Sequence, residues 1–259
     1  MNNIIGVSRW DNAAGKLKHW MGNDDYFEQF VKKIKIRPSW TVLDIGCGPG
    51  DISIWAAKRA KHVTSLDHSG KMLHFLKENI SAEGLHNISC VQCPWDNEKA
   101  DEIEMHDVVI ASRSIGSMVN KKEVLHRIDN HARRYVYITI GIKIETPITQ
   151  SIQKILGNEK GKSSRFISVY NYLYKTGIRA KVDYIYGRSK FRDINDVIEQ
   201  RVWARKKLTP LQEKLLFNLF SENMIKRKDG LISFPYDDLC WALISWQKPA
   251  GSKYYYSLK

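Results

Sequence analysis

An α/β fold is predicted for this chain of 259 residues: a doubly wound, seven-stranded, mostly parallel sheet with N-terminal helices and a helical cap inserted before the last strand. Three observations predict it. Short β-favouring runs alternate with helical stretches from residue 41 onward. A glycine turn, Gly46-x-Gly48-x-Gly50, joins the first strand to the next helix. Residues 192–226 depart from the alternation and read as two successive helices ahead of a final apolar run.

Residues 1–40 read as helical and aromatic-rich, with Trp10, Trp20, Tyr26 and Phe27. Phe27, Phe30, Val31 and Ile34 recur at helical spacing until Arg37-Pro38 ends the segment. Strands are then expected at 41–45, 62–66, 88–92, 107–111 and 135–141, with helices near 52–60, 69–83 and 121–132 and a weak segment at 97–104. A helix over 164–176 leads to a sixth strand at 181–186. Phe191-Arg192-Asp193 and Thr209-Pro210 both look like helix starts, the second with Pro at the first helical position, which predicts helices at 194–206 and 210–226. Asp229-Gly230 is a turn, and 240–247 is the last strand. One domain is expected: a helical segment at 1–40, a core at 41–190, a cap at 191–235 lying over the carboxyl edge of the sheet, and a last strand and tail at 236–259.

The formal charge is +13, from 41 Lys+Arg against 28 Asp+Glu, a balance that suits nucleic acid, anionic lipid or an acidic substrate. Its wide spread, densest at 201–207 and 226–228, is the pattern of a solvated surface. Hydrophobic residues make up 43%, enough for a globular core, and the lack of a long unbroken apolar run predicts no membrane span. Met1-Asn2-Asn3-Ile4-Ile5-Gly6 lacks the charged-then-apolar layout of a signal peptide, so a cytoplasmic location is expected. Cys47, Cys90, Cys93 and Cys240 are too few and scattered for a disulfide framework. Cys90-x-x-Cys93 has no second pair to complete a metal site and reads as structural thiols.

Chemistry concentrates at Leu43-Asp44-Ile45-Gly46-Cys47-Gly48-Pro49-Gly50-Asp51. Strand, glycine turn and helix start together bring backbone close to a nucleotide-like ligand. Asp44 narrows the choice, because a carboxylate repels a pyrophosphate and attracts a cationic ligand. The dinucleotide fingerprint also needs a third glycine where Asp51 stands. The stretch resembles the first motif of the class I methyltransferases that bind S-adenosylmethionine (SAM): an acidic residue, a spacer and GxGxG at the end of the first strand. The resemblance implies that Asp44, Gly46, Cys47, Gly48 and Gly50 surround SAM, with S-adenosylhomocysteine as the product.

Later positions fall in register with that family. Asp67, closing the second strand in Ser65-Leu66-Asp67-His68-Ser69, matches its ribose-binding acid, with His68 and the bulky apolar Met72 beside it. The alternative is that Asp67 caps the following helix. Trp95 and Asp96, after the third strand, match by type the apolar contact and the acceptor for the adenine amine, although a prolyl turn replaces the commoner Gly-Asp; Trp95 also suits the core. After the fourth strand, Ser112 would line the methionine part of SAM, while Arg113 and Ser114 face the acceptor, unless Arg113 pairs with a helix-end carboxylate. Trp10 in Ser8-Arg9-Trp10-Asp11-Asn12 resembles the closing helix of the ubiquinone/menaquinone type, which sets it on the substrate side or else simply packs it on the sheet edge.

Methyl transfer from a sulfonium asks the protein mainly to align donor and acceptor and exclude water, so no catalytic base is assigned. The Asn/Asp-Pro-Pro-Tyr/Phe box of nitrogen methylation is absent after the fourth strand, and the Pro-Cys pair of cytosine-C5 enzymes is absent too. The sequence thus predicts a SAM-dependent methyltransferase with a small-molecule acceptor. An RNA methyltransferase and a non-catalytic SAM-binding protein are the rivals, and a dinucleotide oxidoreductase ranks behind both.

Overall fold

The computed structural model describes residues 10–12, 14–15, 25–118, 121–142, 144–157, 165–202, 208–235 and 238–249. Seven strands form one sheet in the order β3-β2-β1-β4-β5-β9-β6. They are β1 (Thr41–Ile45), β2 (His62–Asp67), β3 (Ile88–Gln92), β4 (His106–Ala111), β5 (Ala132–Ile142), β6 (Lys181–Arg188) and β9 (Asp238–Gln247). The first five are parallel, and β9 runs antiparallel to both β5 and β6. This is the expected doubly wound, mostly parallel sheet, with the last strand inserted beside β5.

Alternation along the strands feeds two cores. Leu43, Ile45, Val109, Ala111, Val136 and Ile138 face one side, under α4 (Lys121–Asn130) and α6 (Arg165–Lys175). Val42, Val63, Val108 and Ile110 face the other, under α1 (Tyr26–Val31) and α2 (Asp51–Ala57). Helix α3 (Gly70–Ala82) follows β2, and its N-cap Ser69 accepts from the Met72 N–H at 3.2 Å. The weak segment after β3 is a 3₁₀ helix, Glu98–Glu102, capped by Asn97.

Three departures have local causes. The N-terminal helix stops at Val31 instead of running to Arg37, because Lys33 and Ile34 turn back onto Phe30 and Val31 and the chain then extends into Pro38. Trp20 lies outside the described residues. A helix not anticipated from the sequence, α5 (Pro147–Ile155), follows β5; its Thr146-Pro147 start carries a capping box with Thr149. The third is at the cap's end. Helix α7 (Ile194–Val202) begins as expected, with residues 203–207 outside the described set, but α8 (Pro210–Asn223) ends before 226. Ile225–Lys226 (β7) instead pairs with Ile232–Ser233 (β8) around Gly230.

These pieces build a separate core of Ile148, Ile152, Val197, Leu216, Phe220 and Phe234. Since β9 opposes both its neighbours, β6 is parallel to β5. The segment between β6 and β9 therefore leaves and re-enters the sheet at the edge where β1–β5 end, the edge that carries the glycine turn.

Candidate functional site

The strand order reverses between β1 and β4, which open a crevice at their carboxyl ends. Residues 46–50 cross it. Gly46 and Cys47 both donate to the Leu66 carbonyl, at 2.7 and 3.0 Å, which fixes the loop to the end of β2. Gly50, at φ +99°, turns the chain into α2. Beneath the loop Asp44 is buried, and its Oδ2 accepts from Ser53 Oγ at 2.6 Å; Ser65 Oγ in turn lies 2.7 Å from Ser53 Oγ. Burial pushes the Asp44 carboxyl up to about 7; the Ser53 bond opposes this, while the Asp67 and Asp51 carboxylates reinforce it. The Cys47 thiol is also raised, by burial and then by Asp44 and Asp67.

Asp67 joins the loop to α3. Its two oxygens accept from Gly48 N and Ser69 N, each at 2.9 Å. Burial raises this carboxyl, and those two N–H bonds pull the other way. A carboxylate has about four acceptor positions, and the Gly48, Ser69 and weaker His68 backbone bonds leave capacity for a ligand. The space over Gly48 is open: a Cβ there would meet no protein atom within 4 Å. An open cradle beside an acceptor with capacity left fits a ribose hydroxyl, so the residues present suit SAM.

Of the other expected residues, His68 and Trp10 lie beside Asp67, whereas Trp95, expected at the cofactor, is buried in the core. His68 Nδ1 is 3.6 Å from Asp67 Oδ1, and Trp10 packs edge-on against His68 with ring centroids 6.5 Å apart. Asp11 accepts from Ser69 Oγ, so the N-terminal segment is tied to the start of α3. Met72 is buried under that helix, and Asp96 is half-buried after β3. Trp95 is in the core, where its indole packs on His131 and donates to the Val124 carbonyl at 3.4 Å.

Across the crevice, Ser114 lies directly under the loop: a Cβ on Gly46 would stand 2.4 Å from Ser114 Cβ. Arg113 has a left-handed backbone, φ +56°, held by its N–H bond to Thr139 Oγ1 at 2.8 Å. Its guanidinium carbon lies 4.3 Å from the Tyr26 ring centroid and 5.8 Å from that of Trp241. The Arg113 charge also opposes the burial that raises the Asp51 carboxyl.

Sequence reasoning did not reach Tyr26, Thr139, Trp241 or Ser53. The Tyr26 hydroxyl lies 2.6 Å from Ser112 Oγ and 2.7 Å from Thr139 Oγ1, joining α1 to the ends of β4 and β5. A threonine inside the apolar run of β5 was the available signal. Trp241 comes to this edge only because β9 is antiparallel.

Residues 36–158 match a family described as "Methyltransferase domain". An "Uncharacterized protein" of Haemophilus influenzae is 28% identical over 180 residues, 68% of this chain and 66% of that one. The chain spans between 22% and 66% of the length of the curated relatives it matches. Among solved structures, a SAM-dependent methyltransferase from Aquifex aeolicus superposes with a TM-score of 0.52 at 14% identity, covering 91% of this chain and 97% of that one. A Haemonchus contortus phosphoethanolamine N-methyltransferase, solved with phosphomonomethylethanolamine and S-adenosylhomocysteine, has a TM-score of 0.52 at 17% identity, covering 86% of this chain and 52% of that one. Residues 36–158, which carry the glycine loop at the reversal of the sheet, thus match a methyltransferase domain, in a chain with the fold of a SAM-dependent methyltransferase.

Proposed function

We propose that this chain binds SAM over Gly48 and Asp67 and transfers its methyl group to a small-molecule acceptor at the Arg113–Ser114 side of the crevice. The observation that carries the reading is the wall across that edge: Tyr26 bonded to Ser112 and Thr139, with Arg113 laid over Tyr26 and beside Trp241. Such a wall favours an enclosed pocket over an open groove. Bound SAM supplies an activated methyl carbon, whose bond to the acceptor forms as its bond to sulfur breaks, the electron pair leaving with sulfur.

The chain's own residues then position and exclude. In this reading Asp67 accepts from the ribose hydroxyls, His68 and Met72 line the adenosine edge, Asp96 accepts from the adenine amine and Ser112 lines the methionine arm. Trp10 and Asp11, tied to His68 and Ser69, cover that edge from water. Arg113 presents a cation to an acidic acceptor. The small acceptor named in the Haemonchus complex is in keeping with this class. Among the described residues no helix is long and apolar enough to cross a membrane; a cytoplasmic setting belongs to the same proposal.

The test offers methyl-labelled SAM with a low-molecular-weight metabolite fraction and, separately, with total RNA. Label in the metabolite fraction is expected. Label confined to RNA overturns the acceptor class, and SAM binding without transfer to either pool makes the chain a non-catalytic SAM-binding protein.

A further inference from the structure

The edge of the sheet opposite the glycine loop carries a cavity of its own. Trp40 precedes β1, Arg133, Arg134 and Tyr135 lie at the start of β5, and Lys248 follows β9, whose antiparallel course ends here. With Lys35 and Arg37 they line a cleft of about 480 Å³. That volume lies in the range of roughly 300–1,000 Å³ typical of small-molecule sites. A β-strand of this length separates it from the cofactor loop, roughly 17 Å along β1.

The lining carries charge of one sign beyond what its carboxylates neutralise. Arg134 pairs with Asp107 at 2.8 Å and Lys248 with Asp129 at 2.6 Å. Among the described residues Lys35, Arg37 and Arg133 have no carboxylate at ion-pair distance, although Arg133 acts on Asp107 through space, so the cleft's five cations outnumber the carboxylates paired with them. Three of the five cations, Lys35, Arg37 and Arg134, lie over aromatic faces. The Arg37 and Arg134 guanidinium carbons each lie 5.3 Å from the Trp40 ring, and Lys35 Nζ lies 5.3 Å from the Tyr135 ring and 3.2 Å from its hydroxyl. The two rings are 5.6 Å apart, which draws the cations together. Salt screens charges only beyond about 8–10 Å, so such crowding is unfavourable until an anion enters. A single carboxylate would answer one cation; linked phosphates offer an oxygen and a charge to each, and a guanidinium fork matches them.

We propose that this cleft is an oligophosphate-binding site, taking two or three successive phosphates, separate from the methyl-transfer site and independent of its assignment. A free oligophosphate and an RNA backbone share this chemistry, and the test separates them. The full chain is titrated calorimetrically with tripolyphosphate and with a single-stranded RNA 12-mer. The variant K35A/R37A/R133A is compared with K214A/K226A/K228A, which removes the same charge from exposed positions of the cap, and thermal unfolding checks that both remain folded. The cleft variant is expected to bind at least about tenfold more weakly, and the control to stay within about twofold, since exposed charge contacts each contribute a few-fold. Tripolyphosphate binding that depends on the cleft cations identifies a free ligand. If RNA alone binds, a log–log salt slope flatter by about 2 in the cleft variant assigns the phosphates to a nucleic-acid backbone, at about 0.7 per phosphate. No binding of either probe, or equal weakening in the cleft and cap variants, overturns the proposal.

Discussion

Gly46 and Gly48 share a backbone conformation and differ in what surrounds them, so alanine at each position separates the cost to the fold from the cost to a ligand. Their φ values, +69° and +55°, are both left-handed, where an L side chain costs roughly 1–2 kcal/mol. At position 46 the new Cβ would also stand 2.4 Å from Ser114 Cβ, so the 112–114 turn has to move, at a further cost of about 1–3 kcal/mol. At position 48 it meets no protein atom within 4 Å. Gly48→Ala should therefore lower unfolding stability in urea by only about 1–2 kcal/mol, and Gly46→Ala by roughly 2–5 kcal/mol. The space a methyl takes at 48 is the cradle beside Asp67, so calorimetric SAM affinity should fall at least about tenfold, about 1.4 kcal/mol, in a protein that is still folded. Gly48→Val should bind more weakly again. Equal stability losses at the two glycines, or wild-type SAM affinity in Gly48→Ala, would refute the reasoning.

Asp67→Ala removes the acceptor for Gly48 N and Ser69 N as well as the proposed ribose partner, and SAM affinity should drop by about 1.5–3 kcal/mol in calorimetry. Tyr26→Phe deletes the hydroxyl seated on Ser112 and Thr139; about 1–3 kcal/mol of stability should be lost in thermal unfolding, and an unchanged midpoint would show that the cluster does not hold α1 in place. Asp44 sets a pH dependence whose sign follows from its raised carboxyl. The folded chain keeps a proton up to about pH 7 that an unfolded chain releases near 3.8, so this stabilisation is full below pH 4, falls as pH rises to 7 and is flat above. At about 1.4 kcal/mol per unit the swing is at most roughly 4 kcal/mol. Asp44→Asn, neutral throughout, should flatten urea midpoints between pH 4 and 7, and slopes equal to wild type would contradict the shift.

The strands were legible because each is a compact β-branched run bounded by polar turns; Thr41–Ile45 and Ile88–Gln92 match their expected limits. Helix α5 was not, although Thr146-Pro147 is the same signal that marked Thr209-Pro210. The polar run Thr149-Gln150-Ser151 after it hides the helical period. Within the site, the loop and Asp67 were readable because local spacing sets them. Tyr26, Thr139 and Trp241 were not, because their meeting depends on α1 folding back over the sheet and on β9 reversing direction beside β5, and neither is encoded in a short window. The clustering of the cations at the amino edge escaped for the same reason: Lys35, Arg133 and Lys248 are far apart in sequence and look like ordinary surface charge.

The start of α2 shows why Asp44 is informative even without a direct contact. A helix N-terminus carries about half a positive charge, which in a phosphate-binding loop is the attractive element. Here that charge is outweighed. Asp51 is the first residue of α2, Asp44 sits beneath the loop, and Asp67 has already taken the Gly48 N–H that a phosphate would need. Burial raises all three carboxyls, and repulsion from Asp67 and Asp51 raises Asp44 further. An anion placed at the start of α2, away from the Arg113 side, would add to that repulsion, in surroundings where water and salt screen little. A cation would relieve it, and the relief would extend to Asp44 through space. The bond from Ser53 holds Asp44 as a strut under the loop, and above about pH 7, where it is ionised, its charge also counts against a pyrophosphate. In the proposed SAM site, the selectivity that one acidic residue signals in the sequence would thus be a property of the combined field of three carboxylates, favouring a sulfonium over a phosphate at the same helix end.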